Sequence, residues 1–136
     1  MKILQMELRV RTKTRTEMID ITGQIESVVR EAGVRDGDVT VFCPHTTAAI
    51  TINENADPSV THDMLLTLDD LLPRSRPGYR HAEGNSDAHC KSSLVGCSEQ
   101  VLLKDGRLSL GTWQGIYFCE FDGARSRRVI VQVRGQ

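Results

Sequence analysis

Hydrophobic and polar residues alternate in several short segments, and this alternation predicts β-strands along most of the chain. From Leu4 to Val10 every second residue is apolar, a period of two that is typical of a strand with one buried face. The segments "DGDVTVFCP" and "AAITINE" predict two strands in the middle of the chain, and "GIYFCEF" and "RRVIVQV" predict two near its end, joined by a turn at "DGARS". The stretch "EQVLLKDGRLSLG" predicts a hairpin, because Asp-Gly favours a tight turn.

Helical spacing of apolar residues predicts two helices, and a third, shorter one follows a long loop. Thr22 is the predicted N-cap of the first helix, which Gly33 ends. Asp57-Pro58 is typical of a helix start, and the second helix stops at Pro73. Its apolar positions are Val60, Met64, Leu65, Leu68, Leu71 and Leu72. The pattern indicates an α+β fold with antiparallel strands and two or three helices.

Composition narrows the class of protein. The 136 residues include 17 Lys and Arg against 18 Asp and Glu, for a net charge of −1. This balance argues against binding to nucleic acid or to a membrane surface, and we expect Arg125, Arg127 and Arg128 to lie in solvent at the start of a strand. No signal peptide or membrane-spanning run is evident, so a cytoplasmic protein is expected. Cys43 and Cys119 lie in apolar runs and are predicted core residues.

The segment "HAEGNSDAHCKSS" follows the long irregular stretch and is either a solvated loop or a binding site. His81 and His89 bracket Glu83, Asn85, Ser86 and Asp87. Together with His45 at a strand end, they could hold a divalent ion, since catalytic zinc sites commonly use three protein ligands. The spacing matches no named zinc motif, so the residues alone leave both interpretations open. His62, inside the second helix, is predicted to face solvent.

Other polar residues also have two interpretations. Thr46 and Thr47 suit either the capping of a turn or contact with phosphate oxygens. Asn53 ends a strand, where capping is favoured, and Trp113 suits packing more than the wall of a ring pocket. Ser86 or Asp87 is the predicted N-cap of a helix through Leu94, which would offer backbone N–H groups to an anion with help from Lys91.

Three motifs in order, "HTTAAITINENADP", "EGNSDAH.KSSL.G" and "GRLSLGTWQGIYFCEFDG", resemble the YjbQ-like family, often described as secondary thiamine-phosphate synthase. The resemblance extends from about Met6 to the C-terminus. It implies a YjbQ-like α+β fold with a β-sandwich-like core, a single domain over residues 1–136, and assembly as a homotrimer. With this resemblance, residues 81 to 93 are interpreted as a site.

The resemblance also implies an enzyme, a transferase that joins hydroxymethylpyrimidine diphosphate to a thiazole phosphate and releases pyrophosphate, with its main activity unsettled. The alternatives are a metal-dependent hydrolase and a non-catalytic trimer that binds a small anionic ligand or a metal. The expected partners are a small phosphorylated substrate and further copies of the chain. Expected metal ligands, for zinc or magnesium, are His45, His81 and His89. Expected catalytic residues are Glu83, Asp87 and Lys91. Expected ligand-binding residues are Thr46, Thr47, Asn53, Asn85, Ser86 and Trp113.

Overall fold

The computed structural model describes all residues from 1 to 136 and contains eight strands and three helices. The strands are β1 (Lys2–Arg11), β2 (Glu17–Asp20), β3 (Gly37–Phe42), β4 (Ala48–Glu54), β5 (Ser98–Lys104), β6 (Arg107–Leu108), β7 (Gln114–Glu120) and β8 (Ser126–Gly135). The helices are α1 (Thr22–Ala32), α2 (Pro58–Leu71) and α3 (Ser86–Val95). The predicted α+β class is confirmed, and the third helix is present.

The strands form two antiparallel sheets that enclose the main core. One sheet has the order β1-β8-β3-β5-β6 and the other has the order β2-β7-β4. Alternate residues of β3, β5 and β8 meet those of β4 and β7, with further side chains from α1. The largest buried members of this core include Ile25, Ile50, Ile116 and Phe118. Burying such apolar surface is the main favourable contribution to folding.

A helical layer covers the opposite face of the three-stranded sheet. There Ala49 of β4 and Tyr117 and Cys119 of β7 join Ala88 of α3 and Phe121 in a second, smaller cluster. Cys43 and Cys119 are both buried, as predicted. The helix α2 is different, because none of its residues is fully buried. Five of the six positions predicted to form its apolar side lie within it, and the sixth, Leu72, is its C-cap.

Two predicted helix caps are wrong by one or two residues, and a third is confirmed. Thr22 is the first residue of α1 rather than its N-cap, because its hydroxyl already donates to the Asp20 carboxylate and accepts from the Ile116 N–H. Asn85, not Ser86 or Asp87, is the N-cap of α3. Asp57 caps α2 as predicted, and its carboxylate accepts a hydrogen bond of 2.9 Å from the Ser59 N–H.

The helices of the structure are all too short or too polar to cross a bilayer.

The turn at residues 121 to 125 carries the chain from β7 in one sheet to β8 in the other. This crossing places the ends of both sheets, and the side chains between them, beside the connection from β3 to β4.

Candidate functional site

A polar cleft of about 400 Å³ lies where three connecting segments meet. The segments are the connection from β3 to β4, the end of the long loop with the start of α3, and the turn between β7 and β8. The lining residues are Pro44, His45, Thr46, Thr47, His81, Glu83, Asn85, His89, Asp122, Arg125 and Arg127. Apart from Pro44, every lining side chain is polar or charged. The three histidines of the sequence prediction therefore converge on one cleft.

A buried ion pair forms the floor of this cleft. Arg127 is 3% exposed and lies against Glu120, which is fully buried. The guanidinium donates to both carboxylate oxygens of Glu120 and to the hydroxyl and carbonyl oxygens of Thr47. These bonds use Nε and Nη2 only. Nη1 takes part in none of them, and Arg127 lines the cleft, so the N–H groups of Nη1 can donate to an anion there.

The surroundings of Glu120 keep this carboxylate ionised. Burial opposes ionisation, but hydrogen bonds from Arg127, from the Asp122 N–H and from the Thr12 hydroxyl outweigh it, and the pKa of Glu120 is lowered. Arg127 was expected in solvent as part of a basic cluster, and this prediction is wrong. The side chain is inward because Arg127 alternates with exposed neighbours along β8 and faces the inner side of the sheet.

His45 has a fixed orientation and a defined tautomer. Its Nε2 accepts a hydrogen bond of 3.0 Å from the backbone N–H of Arg128. A ring nitrogen that accepts carries no proton, so the proton of the neutral ring is on Nδ1. Burial, followed by the positive charge of Arg127, lowers the pKa of His45 and favours this neutral form. His45 therefore offers one N–H donor, and its single lone pair is already engaged.

His81 and His89 pack edge-to-face in the lining of the cleft. Their ring centroids are 5.3 Å apart and the rings are nearly perpendicular, at 85°. The Glu83 carboxylate lies 3.9 Å from His81 Nε2 and is largely exposed. This arrangement places two imidazoles and a carboxylate, all capable of proton transfer, around one space.

Asn85 holds the cleft wall through its side-chain amide. Its Nδ2 donates to the Asp122 carboxylate at 2.8 Å and to Glu83 at 3.4 Å. Because ionised carboxylates only accept, these two contacts fix which end of the amide is nitrogen. The Oδ1 of Asn85 is buried and has no partner within the chain.

The donor set does not form a three-histidine metal centre as folded. No group of three or more His, Cys, Asp or Glu side chains lies close enough to share a metal ion. The lone pair of His45 is used by the Arg128 N–H, and a neutral imidazole has no second one. Metal binding by these three histidines stays a prediction.

Asp87 and Lys91 do not lie in the cleft, although both were expected to be catalytic. They occupy another face of α3, are 0% and 1% exposed, and form an ion pair of 3.2 Å. Arg15 binds both oxygens of Asp87, and Asp69 of α2 accepts from Lys91. Burial opposes ionisation of Asp87, but the bonds from Arg15 and Lys91 outweigh it and lower its pKa. This network joins α2, α3 and the connection after β1.

The remaining predicted ligand residues divide into two groups. Thr46 and Thr47 line the cleft, and Ser86 begins α3 next to the cleft-lining Asn85. Asn53 and Trp113 do not reach it. Asn53 pairs with Gly115 at the far end of β4, roughly 20 Å from the cleft at about 3.3 Å per residue. Trp113 was predicted to pack in the core or against another subunit; it is 63% exposed in the loop before β7, so it lies outside the core of the single chain, and packing against another copy stays a prediction.

Sequence reasoning missed three polar cleft residues, all in or beside the turn between β7 and β8. Asp122 binds Asn85, and Arg125 donates to the carbonyl and carboxylate of Asp122. Arg127 follows two positions later. The available signal was the period of two in "RSRRVIVQV", which puts Arg127 on the same face as Val129 and Val131.

Comparisons with known proteins agree on one family. The sequence model described as "UPF0047 protein YjbQ-like" matches residues 6–136. UPF0047 protein YugU of Bacillus subtilis is 53% identical over 128 residues, covering 94% of this chain and 97% of the relative. A UPF0047 protein of Methanocaldococcus jannaschii is 54% identical over 127 residues, covering 93% and 91%.

Solved structures give the same result. An uncharacterised protein of the family from Clostridium acetobutylicum has a TM-score of 0.93 and 53% identity, covering 95% of this chain and 99% of that one. A protein of unknown function from Sulfolobus solfataricus has a TM-score of 0.95 and 31% identity, covering 99% of both chains. On both sequence and structure, the chain belongs to the YjbQ/UPF0047 family.

Proposed function

We propose that the protein is an enzyme that acts on a small phosphorylated substrate bound in the polar cleft. The observation that supports this most is the convergence of His45, His81 and His89 with Arg125 and Arg127 in one cleft. Nδ1–H of His45 and Nη1 of Arg127 are donors whose orientation is fixed by other contacts of the same side chains, and such donors suit phosphate oxygens. The rings of His81 and His89 suit proton transfer.

The reaction we propose to test first is the formation of thiamine phosphate, which the sequence resemblance implies. The thiazole nitrogen attacks the methylene carbon of hydroxymethylpyrimidine diphosphate, and the bond from that carbon to the diphosphate oxygen breaks. Pyrophosphate leaves with the electron pair. Arg127 and His45 would stabilise the growing charge on the leaving oxygens, and His81 or His89 would protonate them.

In this proposal the roles of Asp87 and Lys91 differ from the catalytic roles that were expected from the sequence. The buried Asp87 and Lys91 hold α3 in place, while His45, Arg125 of the turn between β7 and β8, and Arg127 of β8 supply the anion-binding groups. A divalent ion would add neutralisation of the diphosphate, but no step above requires it. We further propose that the chain forms a homotrimer, because α2 leaves Leu66 and Leu71 more than half exposed and a small domain gains by covering such side chains.

Calorimetric titration with pyrophosphate tests the binding step. We expect the parent to bind it, and Arg125→Gln to weaken binding about tenfold, which is the effect of losing roughly 1.4 kcal/mol. Arg128→Gln is the matched control, since its side chain pairs with Glu7 outside the cleft and affinity should stay within about twofold.

A fluorescence assay for thiamine phosphate tests the chemical step. Product from hydroxymethylpyrimidine diphosphate and thiazole phosphate would support the synthase, and His89→Ala should remove it while leaving the melting temperature near that of the parent. Pyrophosphate binding without product would favour the non-catalytic module instead. Release of inorganic phosphate without coupling would favour the hydrolase. Failure of the parent to bind pyrophosphate would contradict the whole proposal.

A further inference from the structure

Two cysteines lie opposite each other at one end of the five-stranded sheet. Phe42 of β3 pairs with Ser98 of β5 in antiparallel register, so the next pair outward is Cys43 with Cys97. The Cys43 N–H donates to the Cys97 carbonyl at 2.7 Å, which continues the ladder one pair beyond both strands. Directly opposed residues of an antiparallel pair carry their side chains on the same face of the sheet. The two thiols therefore lie side by side on one face.

The spacing of this pair suits a covalent bond between the two sulfurs. Hydrogen-bonded partners on antiparallel strands have Cα atoms about 5.5 Å apart, and disulfides join Cα atoms about 4.4–6.8 Å apart. Both cysteines are free in the structure. Closing the bond therefore requires mainly a rotation of the two side chains.

The other two cysteines have no such partner. Cys119 of β7 lies opposite Met18 and Ala49 in the three-stranded sheet. Cys90 belongs to α3 and is exposed. The paired arrangement is thus particular to Cys43 and Cys97.

The two paired thiols differ in how they can react. Cys97 is exposed, so a hydroperoxide in solvent can reach its sulfur. Cys43 is only 2% exposed, so it is shielded from the same oxidant, but the neighbouring Cys97 sulfur is within its reach. Cys97 is thus the residue that is oxidised first, and Cys43 is the one that closes the bond.

We propose that Cys43 and Cys97 form a reversible disulfide when the protein meets a hydroperoxide, and that this bond weakens anion binding in the polar cleft. One peroxide oxygen bonds to the Cys97 sulfur, the O–O bond breaks, and the thiol proton leaves in a molecule of water. The Cys43 sulfur then attacks the resulting sulfenic acid and displaces its hydroxyl group, which leaves with the Cys43 proton as a second molecule of water. The two sulfurs are oxidised and the peroxide is reduced. A dithiol restores both cysteines by exchange.

The disulfide acts on the cleft through His45, which follows Cys43 by two residues. The Cys43 thiol donates to the His45 carbonyl at 3.9 Å, and a disulfide sulfur has no proton with which to keep this contact. Cys97 and His45 also line one depression beside the cleft, so the new bond forms next to the imidazole. The ring is aligned by a hydrogen bond from the Arg128 N–H, and a shift of the His45 backbone misaligns it. This effect on anion binding rests on the proposed function, whereas the formation of the disulfide does not.

Peptide mapping tests the bond directly, because trypsin places each cysteine in a peptide of its own. Cleavage after Lys and Arg puts Cys43 in residues 36–74, Cys90 in 81–91, Cys97 in 92–104 and Cys119 in 108–125. The protein is treated with an equivalent of hydrogen peroxide, alkylated with iodoacetamide and digested without reductant. We expect the Cys43 and Cys97 peptides to be joined, with the loss of two hydrogens, and to separate on addition of dithiothreitol.

Two single variants provide the controls. Cys97→Ser should abolish the joined peptides, and Cys90→Ser, at another exposed cysteine, should leave them unchanged. The melting temperature of the oxidised parent should rise by at least about 5 °C, because the bond closes a loop that contains β4, α2 and α3. Peroxide should produce no such rise in Cys97→Ser.

Calorimetric titration with pyrophosphate tests the effect on the cleft. We expect affinity at least about fivefold lower in the oxidised parent, restored by dithiothreitol and insensitive to peroxide in Cys97→Ser. A joined peptide that contains Cys90 or Cys119, covalent dimers, or oxidation of Cys97 without any joined peptide would overturn the disulfide. A disulfide that leaves affinity unchanged would overturn its effect on the cleft. A parent that binds no pyrophosphate in either state would overturn the proposed function and that effect, while the peptide map decides the disulfide.

Discussion

At the scale of single residues, Arg127 has two tasks that compete in most proteins. Its Nε and Nη2 neutralise the buried Glu120, and its Nη1 is left for the cleft. A buried guanidinium without a counter-charge would be costly, whereas a fully paired one could not bind a ligand. The division of its donors between two directions resolves this conflict. The same residue therefore contributes to the fold and to anion binding.

The pH dependence of the free energy of unfolding should show the contribution of the ionised Glu120 carboxylate to stability. Its pKa is lowered in the folded state from an ordinary value of 4.5. A lowered folded pKa means stability that is present above the unfolded pKa and is lost as the pH falls through the folded one. We therefore expect the free energy of unfolding to fall below about pH 4.5, and Glu120→Gln to flatten this fall in urea denaturation. An unchanged acid slope in the variant would contradict it.

Zinc titration should separate the histidines. Because the lone pair of His45 is held by a backbone N–H, His45→Ala should leave zinc affinity within about twofold of the parent. His81→Ala and His89→Ala should each lower it about tenfold or more, since their rings face each other beside Glu83. His62→Ala, on the exposed side of α2, is the control. If His45→Ala lowered zinc affinity as much as His81→Ala and His89→Ala do, the result would support a three-histidine metal centre.

At the scale of elements, α2 is the helix that depends least on apolar burial. None of its residues is fully buried, and Asp69 connects it to the buried Lys91 of α3. An apolar groove of about 480 Å³, with Met64 and Leu68 among its lining residues, separates α2 from the sheet below. Its position is thus set by one charged contact and a partly filled apolar face.

Loss of Asp87 should therefore affect stability before it affects chemistry. Asp87→Ala leaves Lys91 and Arg15 without their shared buried partner, and breaking a buried ion pair typically costs about 3–5 kcal/mol. Asp70→Ala, at an exposed position of α2, should change the free energy of unfolding by no more than about 0.5 kcal/mol. Urea denaturation measures both. An Asp87→Ala protein as stable as the parent but inactive would return Asp87 to a catalytic role.

At the scale of the whole molecule, the strands were the most predictable part. The limits of β4 match "AAITINE", and β1 extends the predicted segment by two residues before it and one after it. The alternation of apolar residues records burial on one face, so it reports strands directly. It does not show which strands share a sheet. For this reason the crossing of the chain from one sheet to the other, between β7 and β8, could not be predicted.

The site was predictable only where residue type indicates chemistry. The three histidines and Asn85 were predicted because their side chains can bind a metal ion or an anion, and the family resemblance decided between a solvated loop and a site. The burial of Asp87 and Lys91 was missed because their partners, Arg15 and Asp69, are 72 and 22 residues away. Asn53 was included because amides at strand ends can bind phosphate oxygens, but β4 carries Asn53 away from His45 and the cleft.

Light scattering should show the assembly at three times 15.2 kDa. If α2 contributes to the contact between copies, the double variant Leu66→Asp with Leu71→Asp should give the monomer mass with an unchanged far-ultraviolet spectrum, because both side chains are exposed within one chain. Leu102→Asp, an exposed position on the other sheet, should keep the mass of the parent. A parent protein of monomer mass at micromolar concentration would contradict the trimer.

The contact between the Arg128 N–H and His45 has a consequence for how the site tolerates change. The donor belongs to the main chain, so any residue other than proline at position 128 supplies it. Random substitution at this position can alter the surface charge but leaves the imidazole aligned. The orientation of His45 thus depends on the backbone path of β8 and not on the identity of the side chain at position 128. In laboratory evolution of the cleft, residue 128 can be changed to any residue except proline while the orientation of His45 stays the same.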